Sequence, residues 1–324
     1  MTERLLVLHD RPADFADLLA HRLPDLPIAW ATAPDEVGPA LRSHGPTVVF
    51  SIKQNAFPGP HHVPALRAPS VRWFHVGGSG VDHLGAWDPR RVTVTNSARV
   101  LAPFHAETAL AALLSLAVGL PRYARQQRDH AWRPHRFRPV AGRTLLVVGV
   151  GAVGGELATR ARALGMRVVG VRRSGRPHPA VDEVHGLDAL PHLLPRADVV
   201  SVNVPLTDAT RGLIGAAELA ATKPGALLLQ SSRGPVVDEA ALIEALRSGR
   251  LGGAWLDVFD TEPLPADHPL WGLDGVLVTP HAADQVDDYA RRFAEWFCAL
   301  WERRARGEAL PALTPPGAYS GSPG

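Results

Sequence analysis

The stretch "LLVVGVGAVGGELA", Leu145 to Ala158, decides how the rest of the chain is read. An apolar run ends at Gly149, Gly151 and Gly154 complete a G-x-G-x-x-G spacing, and a helical pattern opens at once. The spacing alone is a weak signal, but between a strand and a helix it has a physical meaning. Gly149 would make the tight turn, Gly151 would let backbone approach a pyrophosphate, and Gly154 would let helix pack on strand. The helix N-terminus then offers N–H groups and a partial positive charge to phosphates, with Ala152 and Val153 in its first turn. The plain alternative is a glycine-rich turn with no ligand.

Outward from this turn an α/β alternation runs in both directions. "TLLVVG" reads as a strand and "GAVGGELATRARALG" as a helix stopping at Gly165. "RVVGV" is a strand, "LDALPHLL" a short helix, and "DVVSVNV" and "GALLLQ" are strands. "DEAALIEALRSG" is a helix from Asp238 to Gly249, and "GAWLDVF" and "GVLVTP" complete the series. Upstream, "RLLVLHD", "PTVVFSI", "VRWFHVGG" and "VTVTNS" alternate with helical stretches such as "FADLLAHRL". That pattern indicates a second parallel sheet covered on both faces. A long helix is expected from about Leu101 to Gly119, followed by the polar, proline-punctuated "RQQRDHAWRPHRFRP". Ala282 to Leu300 reads as a helix returning to the first domain. The expected domains are 1–98 plus 282–312, an inserted 99–281, and a disordered tail at 313–324.

Composition excludes several classes. Hydrophobic residues at 46% and charged residues at 20% belong to a globular chain, not a disordered one. The net charge is +2 with scattered arginines, so no nucleic-acid partner is expected. One cysteine, Cys298 in "AEWFCALW", leaves no disulfide framework or Cys-based zinc site, and no metal is expected. The start "MTERLLVLHD" lacks signal-peptide anatomy. The most apolar segment, Ala109 to Leu120, is shorter than the roughly 18 to 20 residues of a membrane span and reads as a buried helix. A cytoplasmic protein without a membrane partner is the expectation.

Three later segments place chemistry at strand ends. Arg233 follows the "ALLLQ" strand, Asp257 ends the "AWLD" strand with Glu262 in the loop beyond, and His281 follows "VLVTP". Ligands of open parallel sheets bind outside the carboxyl ends of the strands, so these residues point toward one place. Each alone has an ordinary alternative: a surface ion pair for Arg233, a solvated loop for Glu262, a core position for His281. Their shared location beside a dinucleotide-type turn favours catalysis.

With these residues in place, the sequence resembles the NAD(P)-dependent D-2-hydroxyacid dehydrogenase family. The resemblance is carried by "TLLVVGVGAVGGELA", "NVPLTDATRGLIG", "TKPGALLLQSSRGPVVDEAALIEAL", "LDVFDTEPLPADHPLW" and "VTPHAA", over roughly Ala98 to Ala283, with "GGSGVDHL" upstream. It implies an α/β fold of two doubly wound parallel-sheet domains, a Rossmann cofactor domain inserted in a flavodoxin-like substrate domain. It implies Arg233, Glu262 and His281 as the catalytic triad, with Arg233 and His281 also meeting substrate. Beyond the glycine turn, it implies cofactor contacts at Pro205, Thr210, Ser231, Ser232 and Asp257, the last at the nicotinamide end. The "GGSG" backbone at Gly78 and Ser79 would bind the substrate carboxylate, a tight turn being the alternative. The hinge around Asn96 to Arg99 belongs to a region that contributes to a dimer interface in relatives, so a homodimer is expected.

The implied chemistry explains these residue types. Reduction of a 2-oxo acid moves hydride from the nicotinamide to carbon while a proton reaches oxygen. Imidazole titrates near neutrality and suits His281 as donor, Glu262 would favour its charged form, and Arg233 offers a planar fork for a carboxylate. Two positions depart from the pattern: Gln230 stands where asparagine is common, and Asp284 adds a carboxylate after the histidine.

"RVVGVRRSGRP" bears on the cofactor. Where NAD-binding domains carry an acid for the ribose 2′-hydroxyl, this chain has Arg172, Arg173 and Ser174, eighteen to twenty positions past Gly154. NADP(H) is therefore expected over NAD(H), a solvated arginine pair being the alternative. No regulatory domain like that of the long phosphoglycerate dehydrogenases is expected after Leu300, nor an N-terminal extension like that of formate dehydrogenases. The short form looks most like glyoxylate/hydroxypyruvate reductases, acting on a small 2-oxo or 2-hydroxy acid. The competing reading is an NAD(H)-sensing corepressor-like protein without turnover.

Overall fold

A computed structural model describes residues 3–52 and 57–313. The chain divides into two compact units, residues 1–101 with 286–324, and residues 102–285. The first unit contains β1 (Leu5–Leu8), α1 (Ala16–Arg22), β2 (Ile28–Ala31), α2 (Val37–His44), β3 (Val48–Ile52), α3 (Val63–Arg67), β4 (Trp73–Gly77) and β5 (Thr93–Asn96). Its strands pair in parallel in the order β2-β1-β3-β4-β5, the flavodoxin-like winding.

The chain then enters α4 (Ala98–Val118), α5 (Leu120–Arg128), β6 (Thr144–Val148), α6 (Ala152–Ala163), β7 (Arg167–Val171), β8 (Glu183–His185), α7 (Leu190–Leu193) and β9 (Val199–Val202). It continues through α8 (Ala216–Ala221), β10 (Ala226–Gln230), α9 (Glu239–Arg247), β11 (Leu251–Leu256) and β12 (Val276–Val278). The seven-stranded order is β12-β11-β10-β9-β6-β7-β8, all parallel. Read from the glycine-turn strand, this is the Rossmann winding with a seventh strand added. Finally α10 (Tyr289–Ala305) belongs to the first unit, where Phe297 stacks on Phe50 with ring centroids 5.0 Å apart.

The inserted sheet is buried on both faces, as parallel sheets require. Alternation within β6 sends Leu146 and Val148 to one core with Val169, Val200 and Leu228, and Leu145 and Val147 to the other with Val168, Val199 and Trp255. Each such side chain, fully buried, contributes about 1.5 to 3 kcal/mol. The strands also keep register at their carboxyl ends. Val148 pairs with Val171 and Val202, Gln230 with Val202 and Leu256, and Leu256 with Val278. The next residues, Arg172, Gly149, Asn203, Ser231, Asp257 and Thr279, therefore line one edge of the sheet. That alignment needs one extra residue, because Ala226 pairs with Leu251 but Leu227 with Gly253, leaving Gly252 unmatched.

Several expectations need correction. Helix α10 starts at Tyr289 rather than Ala282, because residues 282 and 283 give their N–H groups to Asp257. Leu313, expected in the tail, donates its N–H to Val94 O at 2.8 Å; residues 314–324 lie outside the described residues. The polar stretch after α4 contains α5, and β8 forms an edge strand that no apolar run announced. Helix α4 starts at Ala98 and is, among the described residues, long and apolar enough to span a membrane by length and composition. It buries Ala106, Ala109, Ala112 and Leu113 in the core beside β6.

Candidate active site

The glycine turn has the geometry a pyrophosphate needs. Gly149 has φ +102°, and a Cβ there would lie 2.8 Å from the Asn203 backbone. At Gly154 a Cβ would come within 2.2 Å of Gly149 O, so any side chain would push α6 off its strand. Gly151, by contrast, has open space where its Cβ would be and caps α6 without a side-chain hydrogen bond. Gly151 and Ala152 are exposed, so the α6 N-terminus is accessible to an anion. The open α6 N-terminus beside the Gly149 turn fits a dinucleotide's pyrophosphate.

The neighbouring strand ends extend the cradle. After β9, Thr210 Oγ1 donates to Pro205 O at 2.6 Å and accepts the Thr207 N–H at 2.8 Å, folding the 205–210 loop on itself. After β7, Arg172 N–H is tied to His185 O on β8 at 3.0 Å, and its guanidinium reaches Arg176 O at 3.4 Å. Arg173 and Ser174 are exposed in the same turn.

Arg233 stands two residues beyond Ser231, which follows β10. Gln230 is buried, donates its amide N–H to Arg233 O at 2.8 Å and accepts the Ser232 hydroxyl at 3.3 Å. The departure noted in the sequence thus builds the turn that carries Arg233. The Arg233 guanidinium itself donates to Ser232 O at 2.7 Å.

Beyond β12, His281 Nδ1 lies 2.8 Å from Glu262 Oε2, both side chains being partly exposed. Glu262 Oε1 accepts the Phe259 N–H at 3.1 Å, which fixes the carboxylate. His281 has φ +51°, a left-handed conformation that costs a non-glycine residue about 1 to 2 kcal/mol. Asp257 offsets that strain. Its buried oxygens accept the Thr279 hydroxyl and the Ala282 and Ala283 N–H groups, clasping the residues on both sides of His281. Burial pushes the Asp257 carboxyl above the usual carboxylate range against the pull of those donors. In this structure Asp257 is thus a bracket for the His281 turn. Thr279 went unnoticed in the sequence, although its place two residues before the histidine marked it; it also accepts the Trp255 indole N–H at 2.9 Å.

In the first unit, Gly78 follows β4 with φ +132°. Ser97 N–H donates to Gly78 O at 2.9 Å, and the Asn96 amide donates to Ser79 O at 2.7 Å. In a trans peptide N–H opposes C=O, so the N–H groups of Ser79 and Gly80 point away from these anchors. Among the described residues no cluster of His, Cys, Asp and Glu could hold a metal ion.

The model of the D-isomer specific 2-hydroxyacid dehydrogenase NAD-binding domain matches residues 110–283. A glyoxylate reductase of Korarchaeum cryptofilum is 38% identical over 261 residues, 77% of this chain and 76% of that one. The chain belongs to the D-2-hydroxyacid dehydrogenase family. It is similar to a family member from Xanthobacter autotrophicus Py2 solved with NADPH and MES, with TM-score 0.80, 33% identity and coverage of 95% and 96% of the two chains. It is also similar to an NADPH-dependent glyoxylate/hydroxypyruvate reductase from Sinorhizobium meliloti, with TM-score 0.80, 27% identity and coverage of 96% and 97%. This D-2-hydroxyacid dehydrogenase is accordingly an oxidoreductase that uses a nicotinamide cofactor.

Proposed function

We propose that the enzyme reduces a small 2-oxo acid of the glyoxylate or hydroxypyruvate type to the D-2-hydroxy acid, with NADPH preferred over NADH. The observation that carries this reading is the 2.8 Å His281–Glu262 pair at the sheet end that also bears the glycine turn. When bound, NADPH supplies the hydride. Arg233 holds the substrate carboxylate and polarises the carbonyl, and His281 gives its proton to the carbonyl oxygen. Glu262 keeps the ring oriented and favours its charged form. Pro205, Thr210, Ser231 and Ser232 line the cofactor.

The preference for NADPH is supported by Arg172, Arg173 and Ser174 beyond β7, and by the names of the Xanthobacter and Sinorhizobium structures. The substrate class is supported by the names of the Korarchaeum and Sinorhizobium relatives. Exposed Trp132, Phe137, Trp271 and Leu120 support a homodimer. A cytoplasmic site of action accords with the single, buried cysteine.

The test is oxidation of NADPH and NADH against glyoxylate, hydroxypyruvate, pyruvate and phenylpyruvate, with the mass in solution measured in parallel. Turnover is expected with glyoxylate and hydroxypyruvate and NADPH. Cofactor binding with no turnover on any acid would reject the reductase reading.

A further inference from the structure

Helix α4 grips the turn after His281 from its own side. Thr108 Oγ1 donates to Ala283 O at 3.0 Å, and His105 Nε2 lies 3.3 Å from Asp284 Oδ2. Residues three apart share a helix face, so one face of α4 makes both contacts. That face is otherwise apolar, with Ala106, Ala109, Ala112 and Leu113 buried along it. His105 is only 8% exposed, and its Nδ1 is buried with no hydrogen-bond partner among the described residues. An apolar residue would pack there without leaving a ring nitrogen unsatisfied, so the imidazole is better explained by its carboxylate partner. Burial pushes the Asp284 carboxyl up, but the His105 hydrogen bond and the imidazoles of His105 and His281 bring it below its ordinary range. The anion is the favoured form.

We propose that Asp284, oriented by His105, is a positioning residue for His281 that holds a second carboxylate within electrostatic reach of the imidazole and favours its proton-donating form. The inference rests on the reading of His281 as the proton donor. The charged groups around His281 are Glu262 at 2.8 Å, Asp257 behind the turn, and Asp284 with His105 on the α4 side. Arg233, beyond β10, turns its guanidinium onto Ser232 O. Removing one negative charge makes the imidazolium less favoured, so the alkaline limb of reduction moves to lower pH.

The experiment is the pH dependence of kcat and kcat/KM for the best-reduced 2-oxo acid with NADPH, with NADPH affinity measured by fluorescence. Wild type, Asp284→Asn, Asp284→Ser, Asp284→Glu and His281→Ala are compared. Asp284→Asn is expected to shift the alkaline limb down by about half a pH unit or more, to match wild type well below that limb, and to bind NADPH within about two-fold of it. Asp284→Glu should recover the limb. A superimposable Asp284→Asn profile, or an equal loss at every pH, overturns the proposal. Should Asp284→Asn fail to fold, Asp284→Ser, which also removes the charge, must show the same shift, and an unmoved limb there overturns it equally. His281→Ala separates the two levels. Near-normal turnover in that variant defeats the donor reading itself, whereas its loss beside an unshifted Asp284→Asn defeats only the role of Asp284.

Discussion

Glu262 binds the Phe259 N–H through one carboxylate oxygen and meets His281 Nδ1 at 2.8 Å through the other, so it is oriented at one end and orients at the other. Replacing it with glutamine keeps the shape and removes the charge. Glu262→Gln is expected to lower kcat by about 10- to 100-fold with little change in KM, and to move the alkaline limb of reduction to lower pH. Steady-state kinetics across pH check both, and an unchanged kcat would remove Glu262 from the mechanism.

Arg233 is presented by a turn that Gln230 ties through its backbone, so a lysine there would keep the charge and lose the fork. Arg233→Lys is expected to reduce kcat/KM for the 2-oxo acid by about 10- to 150-fold, the range of one lost charge-assisted pair. Saturation kinetics on the wild-type substrate decide it; a loss under two-fold would make Arg233 a bystander.

The arginine turn sets up a change of cofactor. Arg172→Asp and Arg173→Asp should each weaken NADPH binding by one to two orders of magnitude, about 1.5 to 3 kcal/mol. Relative use of NADH should rise. Fluorescence titration with both cofactors reads this directly, and a constant NADPH to NADH ratio would dismiss the pair as surface charge.

His75, on β4, is fully buried between Thr95 and Ser97, and burial lowers its pKa from 6.5 to about 3. The folded protein keeps it neutral while an unfolded chain would protonate it below 6.5. Its contribution is therefore complete above pH 6.5 and lost as pH falls toward 3, with a slope of up to about 1.4 kcal/mol per pH unit. Urea denaturation at several pH values should show that decline. His75→Gln should be less stable at neutral pH and flatter below it; an identical slope in both proteins would rule the histidine out as the cause.

The glycine turn, the two parallel α/β sheets and the strand-end placement of Arg233, Asp257 and His281 were legible in the sequence, because apolar strand runs and glycines at close approaches are local signals; the windings came only with the family resemblance. Other features depend on partners distant in sequence. Strand β8, "EVH", has no apolar run and exists through its pairing with β7. The 282–288 stretch carries a helical pattern at its start, yet Asp257 takes the N–H groups a helix would begin with. His105 lies in an apolar helix far from residue 284 in sequence, and only the fold brings it to Asp284.

Gly252 has an influence out of proportion to its size. Were it paired with Leu227 instead of left unmatched, Gln230 would stand beside Trp255, and Leu256 rather than Asp257 would come to the sheet edge. Because side chains alternate, an indole and a leucine would also trade faces. The site therefore depends on a residue that sets the strand's phase five positions upstream of the carboxylate. Drawing Gly252 into the ladder instead of leaving it unmatched would keep every reactive group in the sequence and put the His281 clasp out of step.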